Sequence, residues 1–264
     1  MCPVTISIET IQHTLAAPLL SYWGRPRACI PDHRRAFIFA AILKSVHCFD
    51  GRVLKPEILD TLPPDRARAS LRDLTRLNRS WGGHSTLRHL LRDAVLDPNF
   101  SLLDVGAASG DMGNRIKHFY PKARVASLDR IPAHLAAAQS PRVAGDAFRL
   151  PFKPKSFDYV FCSLFLHHFA DDEIVRLFIE FAGVARRAIL VIDLDRNPIA
   201  YYFVPWTRWI FGWDPVTVHD APISVEAAFR PRELEALAAR AGLKSPRAKV
   251  YRPAFRIAMI ANVA

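Results

Sequence analysis

The stretch Ser101-Leu-Leu-Asp-Val-Gly-Ala-Ala-Ser-Gly-Asp-Met-Gly113 constrains this chain more than any other. An apolar strand runs into Asp104 and then into a loop with glycines at 106, 110 and 113. Glycine lets backbone approach a ligand closely, and such a loop delivers the ligand to a helix N-terminus whose N–H groups point outward. A second strand, Arg124–Asp129, ends on another carboxylate. A loop beneath the ligand and an acid for ribose hydroxyls describe a nucleoside pocket in an alternating α/β sheet. The dinucleotide pattern G-x-G-x-x-G is not met. Its second glycine lets backbone press against a pyrophosphate, and Ala108 stands there instead.

The spacing G-x-x-x-G after Asp104-Val105 resembles motif I of the class I S-adenosylmethionine (SAM)-dependent methyltransferases. The segment Gly145-Asp-Ala-Phe-Arg-Leu-Pro-Phe152 resembles that family's third-strand pattern G-D-A-x-x-L-P-F. Phe157-Asp-Tyr-Val160, followed by His167-His168, is similar to its fourth strand and exit. The resemblance implies that Asp104, Gly106, Ala107, Ser109 and Gly110 line the methionyl tail of SAM. It implies that Asp129, with Arg130 beside it, takes the ribose, and that Asp146 and Ala147 meet the adenine. Ser163 at the fourth strand's exit joins this set. The segment Ser80–His84 partly resembles one that closes the cofactor pocket in quinone-type methyltransferases, with Arg79 as a partner for the SAM carboxylate.

At 264 residues, half of them hydrophobic, the chain can bury one large core. The four cysteines, Cys2, Cys29, Cys48 and Cys162, are scattered, with no C-x-x-C pair, so no disulfide framework or zinc site is indicated. A reduced, cytoplasmic setting is expected. The apolar run Ala36–Leu43 falls short of the roughly 20 residues that span a bilayer. Net charge is +11, placed as +5 over residues 1–100, 0 over 101–229 and +6 over 230–264. The basic C-terminal stretch suits either a nucleic-acid contact or a solvated sheet edge. The second is favoured, since no exposed aromatics interleave it.

Residues 1–54 show no sustained period and are set apart as an N-terminal extension, with the methyltransferase-like domain over 55–264. From Asp65, read as an N-cap, apolar residues recur at helical spacing to Trp81, and Gly82-Gly83 breaks the run. Beyond residue 100, five short apolar strands alternate with helices at Asp111–Phe119 and Asp172–Ala185. Two more strands, Leu243–Val250 and Phe255–Ala261, follow. The expected fold is a doubly wound, mostly parallel seven-stranded α/β sheet of Rossmann-like methyltransferase type, with an N-terminal helical segment.

An insert at about 197–229 carries seven aromatics within Tyr201–Trp213. Tyr202, Trp206, Trp209 and Trp213 share one face at helical spacing, so they are expected to line an apolar pocket for the methyl acceptor. Packing on the core, and an interfacial membrane contact, are the other readings of this face. Candidate bases for a phenol or enol are His167, His168 and His219, the last beside Asp220. No ligand cluster asks for a metal. The expected partner is a hydrophobic aromatic, quinone-like or polyketide small molecule, methylated on oxygen or carbon. The segment His219–Leu234 resembles a region of methyltransferases from such pathways. An RNA or protein methyltransferase, or an inactive SAM-binding protein, are the competing readings.

Overall fold

The structure, a computed structural model, describes residues 49–139 and 141–263. Two helices come first, α1 (Pro64–Ser80) and α2 (Gly83–Ala94). Pro64, rather than Asp65, opens α1, where its missing N–H costs nothing. Between the helices Gly82 sits at φ +91°, and a Cβ there would lie 2.3 Å from that of Ala254. Only glycine satisfies both the left-handed backbone and that approach. The break expected at Gly82-Gly83 is therefore a packed elbow.

The alternating half follows as β1 (Ser101–Val105), α3 (Asp111–Phe119), β2 (Arg124–Asp129), β3 (Arg142–Ala144), β4 (Phe157–Ser163), α4 (Asp171–Val184) and β5 (Ala185–Leu194). Glu173 accepts from the Ala170 N–H at 2.9 Å, closing the first turn of α4. Then come α5 (Pro198–Phe211), α6 (Pro215–Ala227) and α7 (Pro231–Arg240), before β6 (Lys244–Tyr251) and β7 (Arg256–Asn262). The sheet order is β3-β2-β1-β4-β5-β7-β6, with β7 antiparallel to both neighbours. This is the seven-stranded, mostly parallel arrangement the sequence implies.

β1 is buried along its whole length, as an interior parallel strand covered on both faces must be. One face packs Phe178 and Phe181 of α4 with Leu234 and Leu237 of α7 against Val160, Ile189 and Met259. The other packs Leu87 and Leu91 of α2 with Ile116 of α3 against Leu102, Phe161 and Leu190. β6 is the edge strand, and Lys244, Arg247 and Lys249 are exposed on it. Part of the basic C-terminal stretch thus lies on an edge, where charge discourages pairing with another chain.

Residues 49–54, assigned by sequence to the extension, pack on this fold. Phe49 is buried, and Arg52 donates to the carbonyls of Ala227 and Phe169, each at 2.8 Å. The rest of that extension lies outside the described residues. Two substitutions test this architecture by urea denaturation. Gly82→Ala should cost about 2–4 kcal/mol through backbone strain and overlap with Ala254. Phe181→Ala should cost about 3–5 kcal/mol through loss of a fully buried ring.

Candidate functional site

A cavity of about 600 Å³ opens at the carboxyl ends of the parallel strands. That is where an open α/β sheet receives its ligands. The glycine loop forms part of its floor. Gly106 lies at φ +67°, and a Cβ on it would meet the Phe165 ring at 2.4 Å. Gly106 and Ala108 border the cavity, whereas Ala107, Ser109 and Gly110 face protein. The Ala107 N–H donates to the Leu128 carbonyl at 3.0 Å, and the Ser109 hydroxyl sits 3.4 Å from that of Thr75. Gly110 is pressed against Ala138. These contacts help to shape the loop.

Asp129, at the end of β2, borders the cavity with both oxygens oriented by backbone. It accepts from the N–H of Ala108 and of Ile131, each at 2.9 Å. Arg130, Asp146 and Ala147 also border it, and Asp146 accepts from the Phe148 N–H at 2.9 Å. His134, which sequence did not single out, contributes a buried Nε2 without a hydrogen-bond partner. Carboxylates whose remaining lone pairs face a cavity, above a loop without room for side chains, fit a nucleoside with vicinal hydroxyls.

Three expected cofactor residues stand elsewhere. Asp104 is 1% exposed and does not border the cavity; it lies beneath α3, where a Cβ on Gly113 would sit 3.1 Å from its Oδ2. Arg79 is exposed on α1 away from the cavity, where helical geometry turns it from Leu71, Leu74 and Leu77 on the lining face. Ser163 does not border the cavity either, and its buried hydroxyl has no hydrogen-bond partner.

Burial raises the Asp104 carboxyl to about 8, against which a backbone bond from Gly113 is insufficient. The folded protein thus holds a proton that an unfolded carboxyl near 3.8 releases. Stability should fall with rising pH between those values, by about 1.4 kcal/mol per unit. Asp104→Asn, which mimics the protonated acid, should remove that slope. Urea midpoints at pH 5 and pH 8 for both proteins test this, and equal slopes would exclude a neutral Asp104.

The centre of the cavity is polar for a different reason. His167 follows β4 on a short 3₁₀ turn, Leu166–His168, and is buried. Its Nδ1 lies 2.6 Å from Asp193 Oδ1 at the end of β5, and its Nε2 lies 3.6 Å from Glu57 Oε1. Glu57 in turn accepts from the Ser224 hydroxyl of α6 at 2.6 Å. Burial alone would lower the imidazole's pKa. The two carboxylates outweigh it and raise the value to about 10, so His167 is an imidazolium at neutral pH. Burial likewise opposes ionisation of Glu57 and Asp193, and bonding to His167 overrides it, holding both below the ordinary carboxylate range.

His168 also borders the cavity, its Nδ1 3.4 Å from Asp60 Oδ2. His219 does not: its side chain is half exposed and paired with Asp220 at 2.7 Å. Asp220 is turned inward to accept from the N–H groups of Ile58 and Leu59 at 3.0 and 2.9 Å. Glu57, His167 and His168 bring ligand atoms within 4.8 Å of one another. A grouping able to hold a metal ion therefore exists, contrary to the reading of the separate segments, which lie about a hundred residues apart.

The insert forms two helices, and its aromatic face points the other way from that expected. Trp206 and Trp209 are 74% and 83% exposed, and neither borders the cavity. Tyr202 stacks on Trp206 with ring centroids 5.0 Å apart. Trp213 lies beyond the helix end at Gly212, buried, its Nε1 donating to the Thr207 hydroxyl at 3.0 Å. Ala200, Phe203 and Val204 of α5 line the cavity instead. Both sides of α5 are apolar, so the period located a stripe without saying which stripe faces inward.

A methyltransferase-domain family model matches residues 103–192. A search of curated protein sequences finds no match. Solved structures with the same fold include human N-acetylserotonin methyltransferase in complex with SAM, 19% identical, covering 88% of this chain and 68% of that one, at a TM-score of 0.57. A SAM-dependent methyltransferase from Aquifex aeolicus is 14% identical, covering 77% of this chain and 100% of that one, at 0.56. An O-methyltransferase family 2 protein from Planctomyces limnophilus, in complex with apigenin, is 20% identical, covering 78% and 63%, at 0.55. Residues 103–192 thus match a methyltransferase domain, and the fold of the chain is the one these SAM-dependent methyltransferases share. No helix among the described residues is long and apolar enough to cross a membrane.

Proposed function

We propose that residues 55–264 form a catalytic domain that transfers a methyl group from SAM to a hydroxyl oxygen of a hydrophobic, aromatic or polyketide-like small molecule. The observation that carries this reading is the Glu57–His167–Asp193 cluster, whose Glu57 and His167 border the same cavity as Asp129 and Asp146. Bound SAM supplies a methyl group already activated on a sulfonium, so the protein's task is alignment and disposal of a proton. Asp129 is assigned to the ribose hydroxyls, Asp146 and Ala147 to the adenine, and Gly106 and Ala108 to the tail.

With His167 protonated and both carboxylates ionised, the cluster carries a net charge of −1. It can therefore take the proton that a hydroxyl releases as its oxygen is alkylated, ending neutral. The proton belongs to the cluster rather than to one residue, because three coupled groups share it. Leu71, Leu74, Phe203 and Val204 wall the site, and an apolar wall selects an apolar body around the reacting hydroxyl.

Calorimetry with S-adenosylhomocysteine, followed by methyl-transfer assays over phenols and quinols, tests the reading. Asp129→Ala should weaken cofactor binding by about 1.5–3 kcal/mol, the worth of charge-assisted hydrogen bonds. Glu57→Gln and His167→Asn should each lower kcat about 10²-fold or more with cofactor affinity unchanged. The wild-type rate should stay level through neutrality and fall only below the usual carboxylate range, as Glu57 and Asp193 take up protons. Cofactor binding without turnover on any hydroxylated aromatic would favour an inactive SAM-binding protein. Steeply salt-dependent binding to bulk RNA would favour a nucleic-acid enzyme.

A further inference from the structure

Arg256 opens β7 and is 6% exposed, yet its guanidinium makes no hydrogen bond or ion pair among the described residues. It borders the cavity. Burial lowers its pKa to about 10, which leaves it charged at neutral pH. The fold handles its other buried guanidinium differently. Arg196 is 3% exposed and spends its nitrogens on the carbonyls of Phe49 and Ala228, at 3.1 and 2.7 Å, and on Glu233. Arg196 is satisfied within the chain, whereas the Nε of Arg256 has no hydrogen-bond partner.

Among the described residues, none of the acids lining the cavity forms an ion pair with Arg256. Asp129, Asp146 and Asp220 accept from backbone N–H groups, Glu57 from Ser224, and Asp60 faces His168. Asp193, whose charge Arg256 feels, already accepts from the N–H groups of Leu166 and Leu194 and contacts His167. Asp193 supplies charge nearby but no hydrogen bond, and a buried guanidinium without an acceptor is costly, so its retention beside a cavity calls for an acceptor from outside the chain.

We propose that Arg256 binds a carboxylate carried by the methyl acceptor, making the substrate class a hydroxylated, apolar acid. This rests on the reading of the cavity as a methyltransferase site. SAM also carries a carboxylate, but the sheet order argues against it as the partner. Asp129 and the glycine loop belong to β2 and β1, and β7 lies three strands beyond β1, about 14 Å away at the usual strand spacing. The proton-accepting cluster, at the ends of β4 and β5, lies between them. A molecule with its hydroxyl at the cluster and its carboxylate one or two strand widths farther, about 5–10 Å, meets both. The lining between, Leu194, Ala254 and Phe255, is apolar apart from the backbone.

The test compares 4-hydroxycinnamate with its uncharged amide by calorimetry on the full chain saturated with S-adenosylhomocysteine. The wild type should bind the acid about ten- to a hundredfold more tightly, as a charge-assisted pair predicts. Arg256→Met should abolish the preference, and Arg256→Lys should keep part of it. Both should bind S-adenosylhomocysteine as the wild type does, and Arg256→Met should melt at the same or a higher temperature, since it removes an unpaired charge. Equal binding of acid and amide by the wild type, or no binding of either, overturns the proposal without touching the methyltransferase reading. A tenfold loss of S-adenosylhomocysteine affinity in Arg256→Met overturns it in favour of the cofactor's own carboxylate. Failure of the wild type to bind S-adenosylhomocysteine removes the reading beneath it.

Discussion

Burial of the central strands on both faces governs this molecule. Side chains along β1 and most of β4 and β5 must be apolar, so polar chemistry is confined to the strands' carboxyl ends. Asp104, Asp129 and Asp193 each occur in such an end, and each has different surroundings. Asp104 has no counter-charge and holds its proton, whereas Asp129 is oriented by two backbone donors. Asp193 has an imidazolium and stays ionised. The same residue type at equivalent positions thus does three different things, and what distinguishes them is who donates to each oxygen.

The strands and the mostly parallel sheet class were legible from the sequence because they depend on local signals. Apolar runs, glycines and strand-terminal acids mark β1 to β5 within a residue or two at most of their ends. Asp129, Asp146 and Gly106 border the cavity. What escaped were residues whose role depends on distant segments meeting. Glu57 lies about 110 residues before His167 and carries no local mark. Arg256 did leave a signal, a lone charge in the run Phe255-Arg-Ile-Ala-Met-Ile-Ala261, which asks for a partner that the sequence does not name.

The insert shows the limit of periodicity in another form. Its aromatic stripe is real, and Trp206, Trp209, Ile199 and Ile210 are all exposed. The face toward the cavity is built from smaller and less conspicuous residues, Ala200 and Val204, with Phe203. A narrow inner stripe leaves volume for a ligand, whereas bulky indoles would fill it. Counting aromatics selects the wrong side of a helix whose inner face must remain hollow.

β7 is the last strand in chain order, yet it lies between β5 and β6 rather than at an edge. Without it β5 would keep an open side beyond its pairing with β4, and β6 would have no strand beside it. The pocket wall near Arg256 therefore comes into being only when this late segment is inserted, long after the nucleoside half could have formed from contiguous sequence. Non-local pairing of this kind is slow, so closing this wall of the pocket adds to the folding time of the sheet.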